Sequence, residues 1–571
     1  MLRILLGRAR TGKSARVLEE IRALGDSSQQ ILLVPEHASH VAEVDVCRAC
    51  GPTASRHAEV LTFKLLASRV LTLTGGAAEV TLDNGGKLLL LQRVLVSLAP
   101  SLRVYRRPSQ RAAFLESLLA LIEELQAYAV APEVLAEKAE AIAGESGERL
   151  RDVALLYGAY LAKLHEGGRD ARDRLEKLEE NLAASGYADN KDIFLDGFSY
   201  FTGRERNILR ILLKRAKSVT VTLLGDGSDS ELFAEGLRVR EQLYALARDA
   251  GVPCTEEVLR GGAPRDALGH VEKHFFGGNV RWDEPTEQLR LYEASTAYDE
   301  AERIAAEILR LVRCEGYRFR DITVTSRDMD AAEPVLRTVF ARCGIPLYCA
   351  RRSDILRRGV PALLLGALDA VSGGFEYEDV FRCLKTGLAG LSAEECDLLE
   401  NYVIKWDIRG AMWTRDVPWT AHPEGYGVPW RTEHEEMLAR VNAAREKVRA
   451  PLSHLYEGVR GTGDVEGKVT ALYNYLTEIA LPEELQRQTE TLWQRGETQR
   501  AEELAQLWNV LCGVLDQFVE MLGGTELDAE EFARLMRLVL TQYSVGTIPV
   551  SLDRVLSLIH ISEPTRRVVI S

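Results

Sequence analysis

Short apolar runs alternate with amphipathic stretches at the start of the chain. The first run covers residues 1–6, and the apolar residues of 14–21 recur at helical spacing. Further runs at 31–34 and 60–63 predict two more strands. Because helical patterns separate these strands, the alternation predicts a parallel sheet that binds its ligand at the carboxyl ends of the strands.

Long amphipathic helices interrupt this alternation between about residues 85 and 190. Apolar strand patterns then return at 193–197 and at 218–224. The helical block is therefore interpreted as an insertion into one sheet domain. We predict an amino-terminal domain of residues 1–280 that contains this insertion.

A glycine- and proline-containing stretch that begins near residue 261 separates this domain from a second alternation of strands and helices. Strands are predicted at 289–292 and at 322–324, and the chain then becomes mainly helical. We predict a second domain of residues 281–555, with a helical insertion at about 390–545. The predicted fold class is α/β, with two parallel-sheet domains.

Charge restricts how the protein can contact nucleic acid. The 571 residues carry a net charge of −14, so any such contact has to come from local basic patches. Two arginine clusters are candidates for contacts with phosphates, but solvated helix faces explain them equally well. The clusters contain Arg103, Arg106, Arg107 and Arg111, and Arg351, Arg352, Arg357 and Arg358.

Cysteine content and hydropathy indicate the compartment. The nine cysteines are scattered through apolar or helical segments, which is typical of free thiols in a reducing compartment. The most apolar helical runs are too short and too polar to span a bilayer. We expect a cytoplasmic protein that makes no membrane contact.

One segment matches the phosphate-binding pattern G-x-x-x-x-G-K-S/T at every fixed position, between a predicted strand and a predicted helix. Its residues are Gly7, Arg8, Ala9, Arg10, Thr11, Gly12, Lys13 and Ser14. The glycines let backbone amides surround a phosphate, and the lysine supplies a cation for the terminal phosphates. We predict that this P-loop binds ATP; the alternative is a chance match in a turn.

The predicted cofactors are ATP and Mg²⁺. The Ser14 hydroxyl can hold the metal ion, and Asp196 follows the apolar strand pattern where a second metal-binding carboxylate is expected. A glutamate that activates water usually comes next, but this chain has Gly197. We therefore predict slow hydrolysis and assign no catalytic residue, unless Glu205 takes that role.

Six segments resemble one known family. They are residues 34–37, 62–63, 195–202, 316–322, 384–388 and 397–403. Together they resemble the B subunit of the AddAB-type ATP-dependent helicase–nuclease, from residue 1 to about residue 555. The resemblance implies that both parallel-sheet domains are P-loop-type helicase-like domains of superfamily 1 (UvrD-like), each with a large helical insertion.

The resemblance also implies partners and a biological role. Such a B subunit forms a heterodimer with an A-type helicase–nuclease subunit, and the complex processes duplex-end and single-stranded DNA during double-strand-break repair by recombination. The family's nuclease domain holds an iron–sulfur cluster through cysteines, and no cysteine follows Cys512 here. We expect the nuclease and the cluster only in a missing carboxyl-terminal region. Residues 556–571 resemble a translated adapter, and we expect them to be a non-native tail.

The helicase-like half of such B subunits reads the Chi sequence in single-stranded DNA, rather than acting as the motor. Four residues at matching positions are the predicted DNA-binding residues: His37, Ser39, Phe63 and Phe198. Aromatic rings can stack on bases, and short polar groups can reach base edges. His37 departs from the glutamine usual in the family, and ordinary core or capping roles remain the alternative for all four.

Two other functions fit parts of the sequence. A stand-alone P-loop kinase or small-molecule NTPase would share the phosphate-binding loop, but the large helical insertions and the second α/β unit argue against it. A scaffold with a vestigial P-loop would keep the fold and lose nucleotide binding. Replacing Lys13 with alanine distinguishes a functional P-loop from a vestigial one.

Overall fold

The computed structural model describes most of the chain and divides it into two units. The first unit contains Met1–Leu82 and Leu90–Arg290, and the second contains Asp83–Leu89 and Leu291–Ser571. The described residues are 1–75, 82–106, 112–166, 174–228, 231–261, 266–274, 280–349, 353–461, 463–545 and 555–558.

A six-stranded parallel sheet forms the centre of the first unit. Its strands are β1 (Leu2–Gly7), β2 (Gln30–Leu33), β3 (Ala58–Leu61), β4 (Asp192–Leu195), β5 (Ser218–Leu224) and β6 (Cys254–Leu259). They lie in the order β3-β2-β4-β5-β1-β6, and every neighbouring pair is parallel. The predicted α/β class is confirmed in this sheet, whereas two P-loop-type domains stay a prediction.

Helices cover this sheet and form the insertion between β3 and β4. They are α1 (Lys13–Leu24), α2 (Ser39–Cys50), α3 (Phe63–Thr74), α4 (Asn84–Leu98), α5 (Ala112–Ala127), α6 (Pro132–Ala141), α7 (Glu145–Glu166), α8 (Arg174–Ser185), α9 (Gly203–Arg215), α10 (Ala234–Ala250) and α11 (Ala267–His274). One of the boundaries between the two units falls within α4, between Leu89 and Leu90.

The core of the first unit explains why the apolar runs form central strands. In β1, Leu2, Ile4 and Leu6 pack into one hydrophobic cluster, while Leu5 packs into a second cluster with Val17 of α1. Successive residues of a strand point to opposite faces of the sheet, so a strand buried on both faces needs apolar residues throughout. This burial fixes where β1 ends, and therefore where the P-loop begins.

The second unit has little strand and many helices. Its strands are β7 (Thr323–Thr325), β8 (Leu347–Cys349), β9 (Ser353–Asp354), β10 (Ser544–Val545) and β11 (Val555–Leu558). β11 pairs in parallel with β7 and with β8, and β9 pairs antiparallel with β10. Three residues of the predicted non-native tail, 556–558, thus lie in a strand, and 559–571 lie outside the described residues.

The helices of the second unit are α12 (Ala297–Cys314), α13 (Met329–Arg342), α14 (Gly359–Gly373), α15 (Tyr377–Leu384), α16 (Ala393–Trp406), α17 (Ala411–Thr414), α18 (Thr432–Gly461), α19 (Val465–Glu478), α20 (Leu481–Gln494), α21 (Thr498–Leu522) and α22 (Ala529–Thr541). Most of this unit is helical, as the sequence predicts. The predicted strand at 289–292 is wrong, because this segment pairs with no strand in the described part of the chain and Leu291 is 98% exposed.

Candidate nucleotide-binding site

The P-loop connects the end of β1 to the start of α1. Gly12 has a φ of 85° and Arg10 a φ of 60°, so the chain makes a left-handed turn before Lys13. A Cβ atom on Gly7 would collide with the Thr11 hydroxyl, so the close loop requires glycine there. No described side chain caps the start of α1, and its first turn holds no acidic residue. This helix terminus is therefore suited to bind an anion.

Lys13 points back into the loop. Its Nζ donates hydrogen bonds to the carbonyl oxygens of Gly7 at 2.6 Å and Arg8 at 2.8 Å. Burial lowers the pKa of Lys13 below its usual value, and the negative charge of Asp196 acts in the opposite direction. A phosphate beside this ammonium would favour its charged form further.

Asp196 lies just beyond the carboxyl end of β4. Its Oδ1 accepts a hydrogen bond from the Thr222 hydroxyl at 2.5 Å, and its backbone N–H donates to the Leu33 carbonyl at 3.0 Å. Thr222 is buried in β5, the strand between β4 and β1. The sheet therefore brings a fixed carboxylate to the same edge as the P-loop.

The described residues fit magnesium held mainly by phosphate and water. Ser14 is exposed in the first turn of α1, and Asp196 supplies a carboxylate. Within the described part of the chain, no three histidine, cysteine or acidic side chains cluster to form a complete metal site. Mg²⁺ commonly takes one or two protein oxygens, with phosphate oxygens and water completing the shell. Ser14 and Asp196 would supply such oxygens.

A later segment contacts the outer side of the P-loop. A Cβ atom on Gly261 would lie 3.0 Å from the Thr11 Cα atom, so the two backbones pass close together. Hydrogen bonds from Gln288 and from the Gly269 N–H lower the pKa of Asp266, and the charge of Arg10 adds to this effect. The strand β6 and helix α11 thus border the loop, although about 250 residues of sequence separate them from it.

Comparisons with known proteins show what the chain is similar to. The family described as "ADDB, N-terminal" matches residues 4–272. The B subunit of the ATP-dependent helicase/deoxyribonuclease of Acetivibrio thermocellus is 31% identical over 573 residues, covering 97% of this chain and 50% of that protein. The corresponding B subunit of Caldanaerobacter subterraneus is also 31% identical, covering 97% of this chain and 49% of that protein.

This chain is similar to ATP-dependent helicase/deoxyribonuclease B subunits over 97% of its length, and its residues 4–272 match their amino-terminal family. The predicted resemblance is thereby confirmed. The chain spans about half the length of the relatives that it matches. The family match of residues 4–272 contains the whole P-loop, Asp196 and the segment that borders the loop.

The DNA-binding residues predicted from the family resemblance follow neighbouring strands of the sheet. His37 and Ser39 come after β2, Phe63 after β3 and Phe198 after β4. His37 is exposed and Ser39 is half-buried. The Phe63 and Phe198 rings contact each other, with centroids 5.6 Å apart and an edge-on arrangement. The structure thus brings two of the four residues into contact, and their DNA role stays a prediction.

Phe63 belongs to the hydrophobic core. Its side chain is 5% exposed, whereas Phe198 is half-buried and also contacts Phe201, with ring centroids 5.2 Å apart. The Thr62 hydroxyl accepts a hydrogen bond from the Leu65 N–H at 3.2 Å and caps α3, whose first residue is Phe63. In this conformation, Phe198 presents more ring surface to a base than Phe63 does.

Replacing Phe63 with alanine is expected to lower the free energy of unfolding by about 3 kcal/mol or more, because the truncation leaves a cavity in the core. The matched variant Phe198→Ala removes the same atoms from a half-buried ring and should cost less. Urea denaturation of both variants measures the difference. Equal losses would contradict the placement of these two rings.

The two arginine clusters are only partly described. Arg103 forms an ion pair with Glu148 at 2.6 Å, and Arg358 forms one with Glu503 at 2.7 Å. Arg107, Arg111, Arg351 and Arg352 lie outside the described residues.

Among the described helices, none is both long and apolar enough to cross a membrane.

Sequence reasoning missed three residues at the candidate nucleotide-binding site. Thr222 binds Asp196, and the carboxylates of Asp226 and Glu272 bind Arg8 of the P-loop. Thr222 left a weak signal, because Thr220 and Thr222 are polar residues in an otherwise apolar strand pattern. The two carboxylates left none, since they lie 218 and 264 residues from Arg8.

Proposed function

We propose that this chain is the nucleotide-binding, helicase-like part of a heterodimeric ATP-dependent helicase–nuclease that acts in DNA double-strand-break repair by recombination. The observation that supports this most is the site geometry within a chain that is similar to these B subunits. A P-loop with a half-buried lysine and a fixed carboxylate share the carboxyl edge of one parallel sheet. That arrangement suits a magnesium–nucleotide complex.

The positions of the P-loop and of the predicted DNA-binding residues along the sheet edge support a role in DNA recognition. The P-loop follows β1, whereas the four predicted DNA-binding residues follow β2, β3 and β4. Asp196 and Phe198 are two residues apart after β4, so the nucleotide site and the aromatic pair are neighbours in sequence. We propose that this chain reads single-stranded DNA, with Chi as the sequence read, and that an A-type partner supplies the motor.

The second unit supports the proposal of two helicase-like domains. Its three-stranded sheet is parallel, and α12 and α13 pack around a hydrophobic cluster that contains Ile308, Val339 and Phe340. A parallel sheet covered by helices is the architecture expected of such a domain. The nuclease and its iron–sulfur cluster belong, in this proposal, to a part of the protein outside the 571 residues.

Single-stranded DNA binding tests the proposed recognition role. We expect Phe198→Ala to weaken the affinity of the chain, in complex with its A-type partner, by roughly 5- to 100-fold, because one stacked base contributes about 1–3 kcal/mol. Tyr128→Ala is the matched control, since it removes an aromatic side chain that is 45% exposed elsewhere in the first unit. Fluorescence anisotropy with a labelled oligonucleotide measures both affinities.

The double variant His37→Ala, Phe198→Ala extends this test to base-edge recognition. The proposal predicts a further loss of affinity, together with a weaker preference among oligonucleotide sequences. Affinity unchanged from wild type in both variants would mean that the DNA path lies elsewhere. Thermal melting of each variant separates loss of binding from loss of folding.

A further inference from the structure

The Arg8 side chain, on the second residue of the P-loop, is held between two carboxylates. Its Nε lies 3.3 Å from Asp226 Oδ2, and its Nη1 lies 3.3 Å and 3.2 Å from the two carboxylate oxygens of Glu272. The guanidinium carbon is 5.3 Å from the centre of the Phe233 ring. The Arg8 side chain is 25% exposed, so these contacts are partly shielded from water.

The two carboxylates come from different elements around the loop. Asp226 follows β5, next to Gly225, whose N–H donates to the Gly7 carbonyl at 3.2 Å. Hydrogen bonds from the Ser228 hydroxyl and N–H lower the pKa of Asp226, and Arg8 adds to this, so the carboxylate stays charged. Glu272 lies on α11. Arg8 therefore ties the P-loop both to the end of β5 and to α11.

These contacts oppose nucleotide binding by their charge. A nucleoside triphosphate brings several negative charges to the loop, but two carboxylates already hold the Arg8 guanidinium. Phosphate oxygens attract a guanidinium as strongly as carboxylates do, because both form charge-assisted hydrogen bonds with it. Phosphates and carboxylates thus compete for one side chain.

We propose that Asp226 and Glu272 form a carboxylate clasp that competes with the nucleotide for Arg8. On binding of a nucleoside triphosphate, Arg8 leaves the clasp for the phosphates, and α11 loses the Glu272 contact with the P-loop. The inference rests on the proposed nucleotide-binding function. In this proposal, the contact between α11 and the P-loop depends on whether nucleotide is bound. Weaker carboxylate contacts to Arg8 then give tighter nucleotide binding.

Neutralising the clasp tests this directly. The double variant Asp226→Asn, Glu272→Gln should bind a fluorescent ATP analogue with magnesium at least about fivefold more tightly than wild type. The single variant Glu272→Gln should show part of this gain, and its side chain is 38% exposed, so folding is not at risk. Asp189→Asn is the control, because it weakens a comparable 2.8 Å pair with Arg215 away from the loop.

Hydrogen exchange gives a second measurement. Amides of Ala267–His274 should exchange faster in wild type with saturating ATP analogue, and equally fast with or without it in the double variant. If wild type binds nucleotide and both clasp variants bind with unchanged affinity, the clasp is overturned and the proposed function stands. If wild type does not bind nucleotide, both are overturned.

Discussion

Replacing Lys13 with alanine is expected to weaken binding of magnesium–ATP by about 10- to 100-fold, because a hydrogen bond to a charged group contributes about 1.5–3 kcal/mol. The Lys13 ammonium already lies inside the loop, held by the carbonyl oxygens of Gly7 and Arg8. It therefore meets a phosphate without crossing bulk water. Isothermal titration of wild type and variant measures the loss.

The pH dependence of binding should report the same lysine. Burial lowers the pKa of Lys13 from the usual 10.5, so in the free protein the ammonium loses its proton at a lower pH than an exposed lysine does. Affinity for nucleotide should therefore fall as pH rises through that lowered pKa, and nucleotide binding at alkaline pH should be coupled to proton uptake. Lys13→Ala should show neither effect.

A matched control makes this result specific. Lys214→Ala removes an exposed lysine from α9 in the same unit and should leave affinity unchanged. If Lys13→Ala binds an ATP analogue as tightly as wild type, the P-loop is vestigial and the nucleotide binds elsewhere. Tight binding by both variants would also remove the basis for the clasp at Arg8.

Hydrolysis of ATP by this chain is expected to be slow. We expect the chain to turn over ATP about 10²- to 10⁴-fold more slowly than an NTPase with a positioned general base. Gly197 occupies the position of the usual glutamate, and Glu205 is engaged elsewhere. The Glu205 carboxylate accepts a hydrogen bond from the Thr202 N–H at 2.8 Å, and the Thr202 hydroxyl accepts one from the Glu205 N–H at 3.3 Å, which caps α9.

The backbone at Gly197 explains why a single substitution should not restore hydrolysis. Its φ of 83° is in the left-handed region, which strains other residues, although an added Cβ would make only an ordinary contact, 3.6 Å from Pro35 Cδ. Gly197→Glu should therefore raise the ATPase rate by less than about tenfold, with Gly197→Ala as the control for backbone strain. Steady-state phosphate release measures both. Wild-type turnover near the common enzyme value of about 10 s⁻¹ would contradict this prediction.

Strands that are buried on both faces could be predicted from the sequence. The runs at 1–6 and 31–34 correspond to β1 (Leu2–Gly7) and β2 (Gln30–Leu33), because continuous apolar runs are what such strands require. The edge strand β6 was not predicted. Its sequence contains Thr255, Glu256 and Glu257, and it joins the sheet through main-chain hydrogen bonds to β1 rather than through an apolar pattern.

The segment 289–292 is the opposite case, because it has the pattern of a strand but does not form one. Alternating Leu289, Arg290, Leu291 and Tyr292 has the period of a half-buried strand, but pairing decides whether a strand forms. In the described residues, this segment pairs with no other strand, and Leu291 is exposed. A local pattern cannot supply a partner that has to come from elsewhere in the chain.

Only part of the candidate nucleotide-binding site could be predicted from the sequence. The P-loop is contiguous, so Gly7, Gly12 and Lys13 could be identified from spacing alone. The partners of Arg8 and Asp196 come from β5, the turn after it and α11, and only the fold brings them together. Phe63 has the residue type for base stacking, yet its ring packs into the hydrophobic core.

Hydrogen exchange at the P-loop tests the central claim most directly, because the backbone amides of the loop are the groups that would bind the phosphates. We predict that saturating ATP analogue with magnesium slows exchange of the amides of residues 8–14 in wild type. The same concentration should slow exchange less in the loop of the Lys13→Ala variant, because the variant is expected to bind about 10- to 100-fold more weakly. Unchanged exchange across residues 8–14 in wild type, at a nucleotide concentration that saturates binding, would show that the nucleotide binds elsewhere and would contradict the proposed site.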